Sequence, residues 1–228
     1  MPDGQSTSRT EFASIEAACA AEGLLVMGAF HPARNTVRQL DSGTLILLGA
    51  GADFWPVFQN SPEASDGAPD PIDRWSERVV TGLADTFGGT AWFPFGGPPY
   101  APFIDWAVAS GRAFSSPTGM LVHDTVGMMI SYRGALHLSE EVPLEPVAGM
   151  SPCTTCDAPC TTACPVSALT GSAPYDLDAC HGYLDTPAGQ DCMTRGCFVR
   201  RACPVSQGAG RYDAQSALHM AAFHRGTP

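Results

Sequence analysis

The chain contains no lysine: its 228 residues carry 12 basic side chains, all arginine, against 23 carboxylates. That absence excludes a Walker-type phosphate lysine and any lysine Schiff base. A basic footprint is missing as well. Residues 1–150 hold 7 Arg against 17 acids, residues 151–228 hold 5 against 6, and the net charge is −11. Such a field repels phosphate at long range and argues against nucleic acid as a partner. No apolar stretch reaches 18 residues, so no membrane-spanning helix is expected. The start, Met1-Pro-Asp-Gly-Gln-Ser-Thr-Ser-Arg9, is polar and is not followed by an apolar run with a cleavage site. The expected location is the cytoplasm, where clustered cysteines point to metal or redox chemistry and not to a disulfide framework.

What is present divides the chain in two. Residues 1–148 are long enough to bury a core unaided, whereas 149–228 are poor in large aliphatics and rich in Cys, Gly and Pro. A metal is expected to hold such a segment more than its apolar core does. In the first part, residues 11–22 suit a helix capped by Thr10 and ended by Gly23. Leu24–Phe30 and Thr44–Leu48 read as strands, and Pro71–Phe87 as an amphipathic helix with Trp75, Val79, Leu83 and Phe87 on one face. Ala91–Phe95 is a short strand and Pro102–Ser110 a helix. Met120–Val122, Met128–Tyr132 and Leu136–Leu138 complete the sheet region, around a turn at His123–Gly127. The mixture predicts an α+β fold: an α/β-type layered domain with a mixed sheet, then a small ferredoxin-like iron–sulfur domain. Val142–Pro152 is the expected linker, and Tyr212–His224 a closing helix.

Eight of the nine cysteines lie between Cys153 and Cys203. Cys153, Cys156, Cys160 and Cys164 are separated by 2, 3 and 3 residues; Cys180 stands alone; Cys192, Cys197 and Cys203 are separated by 4 and 5. Cys164 and Cys203 each precede proline, which turns the chain away and offers no competing donor. Eight thiolates suit two [4Fe–4S] clusters, and in two-cluster ferredoxins the fourth cysteine of each run serves the other cluster. On that pattern one cluster takes Cys153, Cys156, Cys160 and Cys203, and the other takes Cys164, Cys180, Cys192 and Cys197. Zinc is the alternative, since Cys153-x₂-Cys156 is a fair half-site for it; disulfides or a metal-free site are others. Cys19, on a helix, reads as an ordinary buried thiol.

The cysteine region with its lone Asp178-Ala-Cys180-His-Gly-Tyr-Leu184 run, and the segment Met120 to Leu138 before it, resemble the epoxyqueuosine reductase family and its relatives, the corrinoid-dependent reductive dehalogenases. The resemblance implies an N-terminal corrinoid-binding reductase domain joined to a two-cluster ferredoxin module, with a redox protein as partner. The departures are specific. The gaps before Cys160, Cys197 and Cys203 are wider than the family's. Its glycine-rich stretch is replaced by Ala113–Gly119. The position of its catalytic acid falls near Pro99-Tyr100, where no carboxylate stands, and Asp105 is displaced into a helix. No catalytic residue is therefore assigned.

The reading favoured is an iron–sulfur electron-transfer protein or reductase component. The alternatives are a corrinoid- or flavin-dependent reductase acting on a small molecule, and a non-catalytic, zinc-bound or metal-free relative. His181, beside Cys180, is a candidate hydrogen-bond donor to sulfur. His123, beside Asp124, reads as a solvated turn histidine or a proton shuttle. Gly49-Ala-Gly51-Ala lacks the third glycine of a dinucleotide fingerprint and reads as a tight turn. The aromatics Trp92, Phe93, Phe95, Tyr100, Phe103 and Trp106 read as core or as the lining of a cofactor cavity.

Overall fold

The computed structural model describes residues 4–32, 40–147 and 149–225, with side chains from residue 12 to 224. The class is α+β. Two compact units form, and the first comprises residues 1–113 together with 131–150. The second takes 114–130 together with 151–228. Residues 114–130 thus fold with the cysteine region, although they precede the Val142–Pro152 linker in sequence.

The first unit is built on a four-stranded sheet of β1 (Leu24–Phe30), β2 (Thr44–Ala50), β3 (Thr90–Trp92) and β6 (Tyr132–Leu138), in the order β1-β2-β6-β3. Every neighbouring pair is antiparallel, which corrects the mixed sheet expected from the sequence. The reason is positional. β2 and β3 run in the same direction with α2 (Phe54–Gln59) and α3 (Pro71–Phe87) between them, but β6 inserts between the two strands and runs against both. β2 is buried along its whole length, as its uninterrupted apolar run requires.

α3 has the expected bounds and packs against β6 and β3. Trp75, Val79 and Leu83 are buried on its inner face, while Phe87 is half-buried at its end. Pro71 suits the first turn, and Gly88 ends the helix at φ 66°. α1 runs from Gly4 to Ala21, so it begins before Thr10 and is not capped there; Gly23 at φ 70° follows its end. α4 (Phe103–Ala109) completes the unit. The first residues of the expected linker are anchored here. The Val142 N–H donates to Thr44 Oγ1 at 2.8 Å, and His31 Nε2 donates to the Val142 carbonyl at 2.9 Å.

The second unit has little regular structure. A two-stranded hairpin, β4 (Ala113–Ser115) with β5 (Leu121–His123), leads into the His123–Gly127 turn. Four short helices follow after residue 150: α5 (Leu177–Leu184), α6 (Gln190–Arg195), α7 (Phe198–Ala202) and α8 (Asp213–Arg225). Its apolar core is small. Val122, Met128, Leu169 and Val199 are buried together with Cys160 and Cys203, so thiols make up part of the core itself. Among the described residues, no helix is long and apolar enough to cross a membrane.

Candidate metal centre

All nine cysteines are free thiols. Eight belong to the second unit, and the backbone carries them there on turns and short helices. Cys153 and Cys156 lie on successive turns, and Cys160 sits in the 3₁₀ turn Pro159–Thr162. The residue before that turn, Ala158, takes a left-handed conformation at φ 51°. Asp157-Ala158-Pro159 is the widened gap between Cys156 and Cys160, and a left-handed residue is how the chain absorbs the extra length. Cys180 is on α5, whose start is fixed by Asp176 Oδ1 accepting from the Ala179 N–H at 2.9 Å. Cys192 is on α6, which stops at Gly196, where φ is 90°.

Two connectors carry the chain between thiols of different sets. The Pro159–Thr162 turn separates Cys160 from Cys164, and α7 separates Cys197 from Cys203; these two connectors pack on each other. The result is two thiol neighbourhoods. Burial pushes the Cys153 thiol up; the Ser151 hydroxyl opposes this, and the Cys156 and Cys203 thiols add to it. Burial likewise raises Cys160, which also feels Cys153, Cys203 and Cys156. In the other neighbourhood burial raises Cys180, which feels Cys197 and Cys164. Burial raises Cys192 too, with Cys197 adding and the Phe198 N–H opposing. Tyr183 feels both Cys192 and Cys164. Cys160 thus feels Cys153, Cys156 and Cys203, Cys180 feels Cys164 and Cys197, and Cys192 feels Cys197.

A pocket of about 420 Å³ adjoins the first set, lined by Cys153, Cys156, Cys203, Pro152, Pro204 and Asp157. Among the described residues, no three Cys, His, Asp or Glu side chains converge on one point as a single ion requires. One zinc ion bonded at about 2.3 Å holds its sulfurs within about 4 Å of each other. A cubane presents four separate iron corners and takes thiolates from a wider ring. Of these thiols, Cys153, Cys156 and Cys203 adjoin an open volume.

A sulfur contact comes from a residue the sequence did not single out: the Tyr175 hydroxyl donates to Cys180 Sγ at 3.1 Å. His181 Nδ1 shares a 2.8 Å hydrogen bond with His224 Nδ1, and His224 Nε2 lies 2.8 Å from Asp185 Oδ1. Arg200 donates to the Met128 carbonyl at 2.9 Å, and its buried guanidinium is held below its usual range by burial, with Cys197 and Tyr175 opposing. Arg201 donates to the Gly196 carbonyl at 2.9 Å and pairs with Asp191. An Arg-Arg pair inside a cysteine run was the available signal for these cations; Tyr175 had none, because its place over Cys180 depends on where α5 starts.

The remaining sequence candidates are dispersed. His123 is fully buried, which corrects the solvated reading, and its Nδ1 accepts from the Thr125 N–H at 3.1 Å. The turn packs closely on Ser206, whose hydroxyl accepts from the Met128 N–H at 2.9 Å. In the first unit the aromatics pack on one another: Trp92 meets Trp106 edge-on at 5.8 Å, and Phe103 lies 5.1 Å from Trp106. Tyr100 and Asp105 are exposed. Cys19 is buried, and its thiol is pushed up to about 12, first by burial and then by Glu16.

No protein-family profile matches the chain. A stretch of 104 residues is 27% identical to the shikimate dehydrogenase (NADP(+)) of Acidovorax ebreus (strain TPSY), covering 46% of this chain and 34% of that protein. The chain thus spans about a third of the length of that curated relative.

Proposed function

We propose that this chain is an iron–sulfur electron-transfer protein or reductase component whose second unit is a ferredoxin-like carrier of two [4Fe–4S] clusters. Cys153, Cys156, Cys160 and Cys203 would hold one, and Cys164, Cys180, Cys192 and Cys197 the other. The observation that supports this reading is that the free thiol Cys160 feels Cys153, Cys156 and Cys203 while Cys180 feels Cys164 and Cys197. When bound, such clusters accept and release single electrons. The chain's own residues do the rest. The two connectors position thiols on both centres, the small apolar core limits water, and the Tyr175 hydroxyl orients a proton onto Cys180 Sγ. A redox protein is the proposed partner, and a cytoplasmic location would keep the thiols reduced until loading.

The resemblance to the epoxyqueuosine reductases supports the same reading for the cysteine region. Corrinoid or flavin chemistry in the first unit gains less support, since Pro99 and Tyr100 supply no acid and Trp92, Phe103 and Trp106 pack on one another. NADP, which the dehydrogenase's name mentions, finds little footing here. Gly49 and Ala50 of the Gly49-Ala-Gly51-Ala run are the last two residues of β2, and the strands pair antiparallel, whereas the dinucleotide fingerprint belongs to a parallel βαβ unit. The deciding experiment is strictly anaerobic purification with iron and acid-labile sulfide analysis. About eight of each per chain is the expected result. A protein that holds zinc, or that takes up no iron on anaerobic reconstitution, overturns it.

A further inference from the structure

α5 is weakly seated. Of its residues, Leu184 is the one the structure buries, and Leu177 at its start is 48% exposed. Yet α5 carries Cys180, which stands apart in sequence from Cys164 before it and Cys192 after it. Local bonds hold its two ends. Asp176 caps the start through the Ala179 N–H, and the Tyr183 hydroxyl donates to the Ala188 carbonyl at 2.8 Å just past its end. Between those ends, the side that bears His181 is covered from a distant part of the chain.

The cover is the far end of α8. That helix is rooted on α6, with Gln215 and Ser216 of its first turn buried. Its last turn reaches α5. Phe223 stacks on His181 with ring centroids 4.7 Å apart, and the His224 ring lies 5.1 Å from His181 with the planes 14° apart. His224 then bonds to α5 at two points. Its Nδ1 meets His181 Nδ1 at 2.8 Å, and its Nε2 meets Oδ1 of Asp185, the residue that caps the end of α5, also at 2.8 Å. The roles follow from the donor inventory. A carboxylate accepts, so His224 Nε2 donates. In a neutral imidazole that leaves Nδ1 as the acceptor, and His181 Nδ1 donates to it.

We infer that the last turn of α8 is a clasp that closes over α5 and fixes where Cys180 sits, with His224 as the positioning residue. The clasp is made of side chains alone and is independent of the two-cluster reading. Releasing it loosens the helix under one thiol and spares Cys153, Cys156 and Cys160, which lie on turns that α8 does not hold.

The test is hydrogen exchange of the full-length chain, purified anaerobically and read by mass spectrometry, with iron measured on the same samples. Two variants separate the two bonds. Glutamine places its amide nitrogen about where Nε2 stood and keeps the Asp185 bond; asparagine places its amide about where Nδ1 stood and keeps the His181 bond. His224→Gln should speed exchange across α5 roughly fivefold, the effect of losing one hydrogen bond, and leave α7 and the β4–β5 hairpin at their wild-type rates. His224→Asn should leave α5 close to wild type. Unchanged α5 exchange in His224→Gln, equal loosening of α7, or a His224→Asn variant as loose as His224→Gln each overturns the clasp. Iron content answers the other question: a wild type without iron sinks the cluster reading, while the exchange pattern still decides the clasp.

Discussion

Cys19 shows what a single buried ionisable side chain does to this protein outside the candidate centre. Its thiol is fully buried and its pKa rises from 9.0 to about 12. The sign follows from linkage: a folded-state value above the unfolded one gives stability that is complete below pH 9 and is lost as pH climbs toward 12. The three-unit difference corresponds to roughly 4 kcal/mol at the alkaline end. Urea unfolding at pH 7 and pH 10.5 should therefore show a clear alkaline loss, and Cys19→Ala should flatten it. An unchanged slope in the variant would assign that loss to other groups. The sequence was enough to place this residue, because an alanine-rich helix with a cysteine on its apolar side leaves little choice. It was not enough for His123, which sits in a turn of polar and small residues. The turn meets Ser206, 78 residues beyond Met128, whose hydroxyl accepts from the Met128 N–H, and no local pattern carries that information.

At the scale of elements, the parts that depend on local spacing were legible and the parts that depend on distant partners were not. Trp75, Val79 and Leu83 recur every four residues, Pro71 starts the run and Gly88 ends it, so α3 could be drawn from sequence. β2 announces itself as a run of apolar residues between glycines. Nothing in either says that β6 will lie between β2 and β3, and that placement turned an expected mixed sheet into an antiparallel one. The grouping of the cysteines was likewise open from spacing alone and came from the ferredoxin pattern.

The His123–Gly127 turn offers a test at this scale. Gly127 has φ 58°, and a Cβ there would lie 2.4 Å from the Ser206 nitrogen and 2.6 Å from its Oγ. The Ser206 hydroxyl also accepts from the Met128 N–H at 2.9 Å. Gly127→Ala should cost roughly 2–4 kcal/mol from strain and overpacking combined. Thermal unfolding should show the loss in the second unit, with the β1-β2-β6-β3 sheet of the first unit retaining its protection from hydrogen exchange.

For the whole molecule, the point that matters is that the second unit is not one continuous piece of chain. A fragment of residues 149–228 omits Val122 and Met128, two members of the small core that also contains Cys160 and Cys203. That fragment should express poorly and hold little iron on reconstitution. A fragment beginning at residue 114 restores the core residues, with 131–150 as a tether, and should recover iron uptake. Equal loading of the two fragments would show that the thiols assemble without the hairpin.

The same discontinuity sets a timetable for biosynthesis. Met128 leaves the ribosome about 75 residues before Cys203, an interval of roughly 4–15 s at ordinary elongation rates. During that interval the hairpin has no core to join, and most of the thiols wait without the last member of their set. Insertion of any inorganic centre on all eight must come after nearly the whole chain has been made. The window in which oxygen can reach unligated sulfur is therefore written into the order of the polypeptide, and slowing translation in air should reduce the yield of loaded protein more than slowing it under nitrogen.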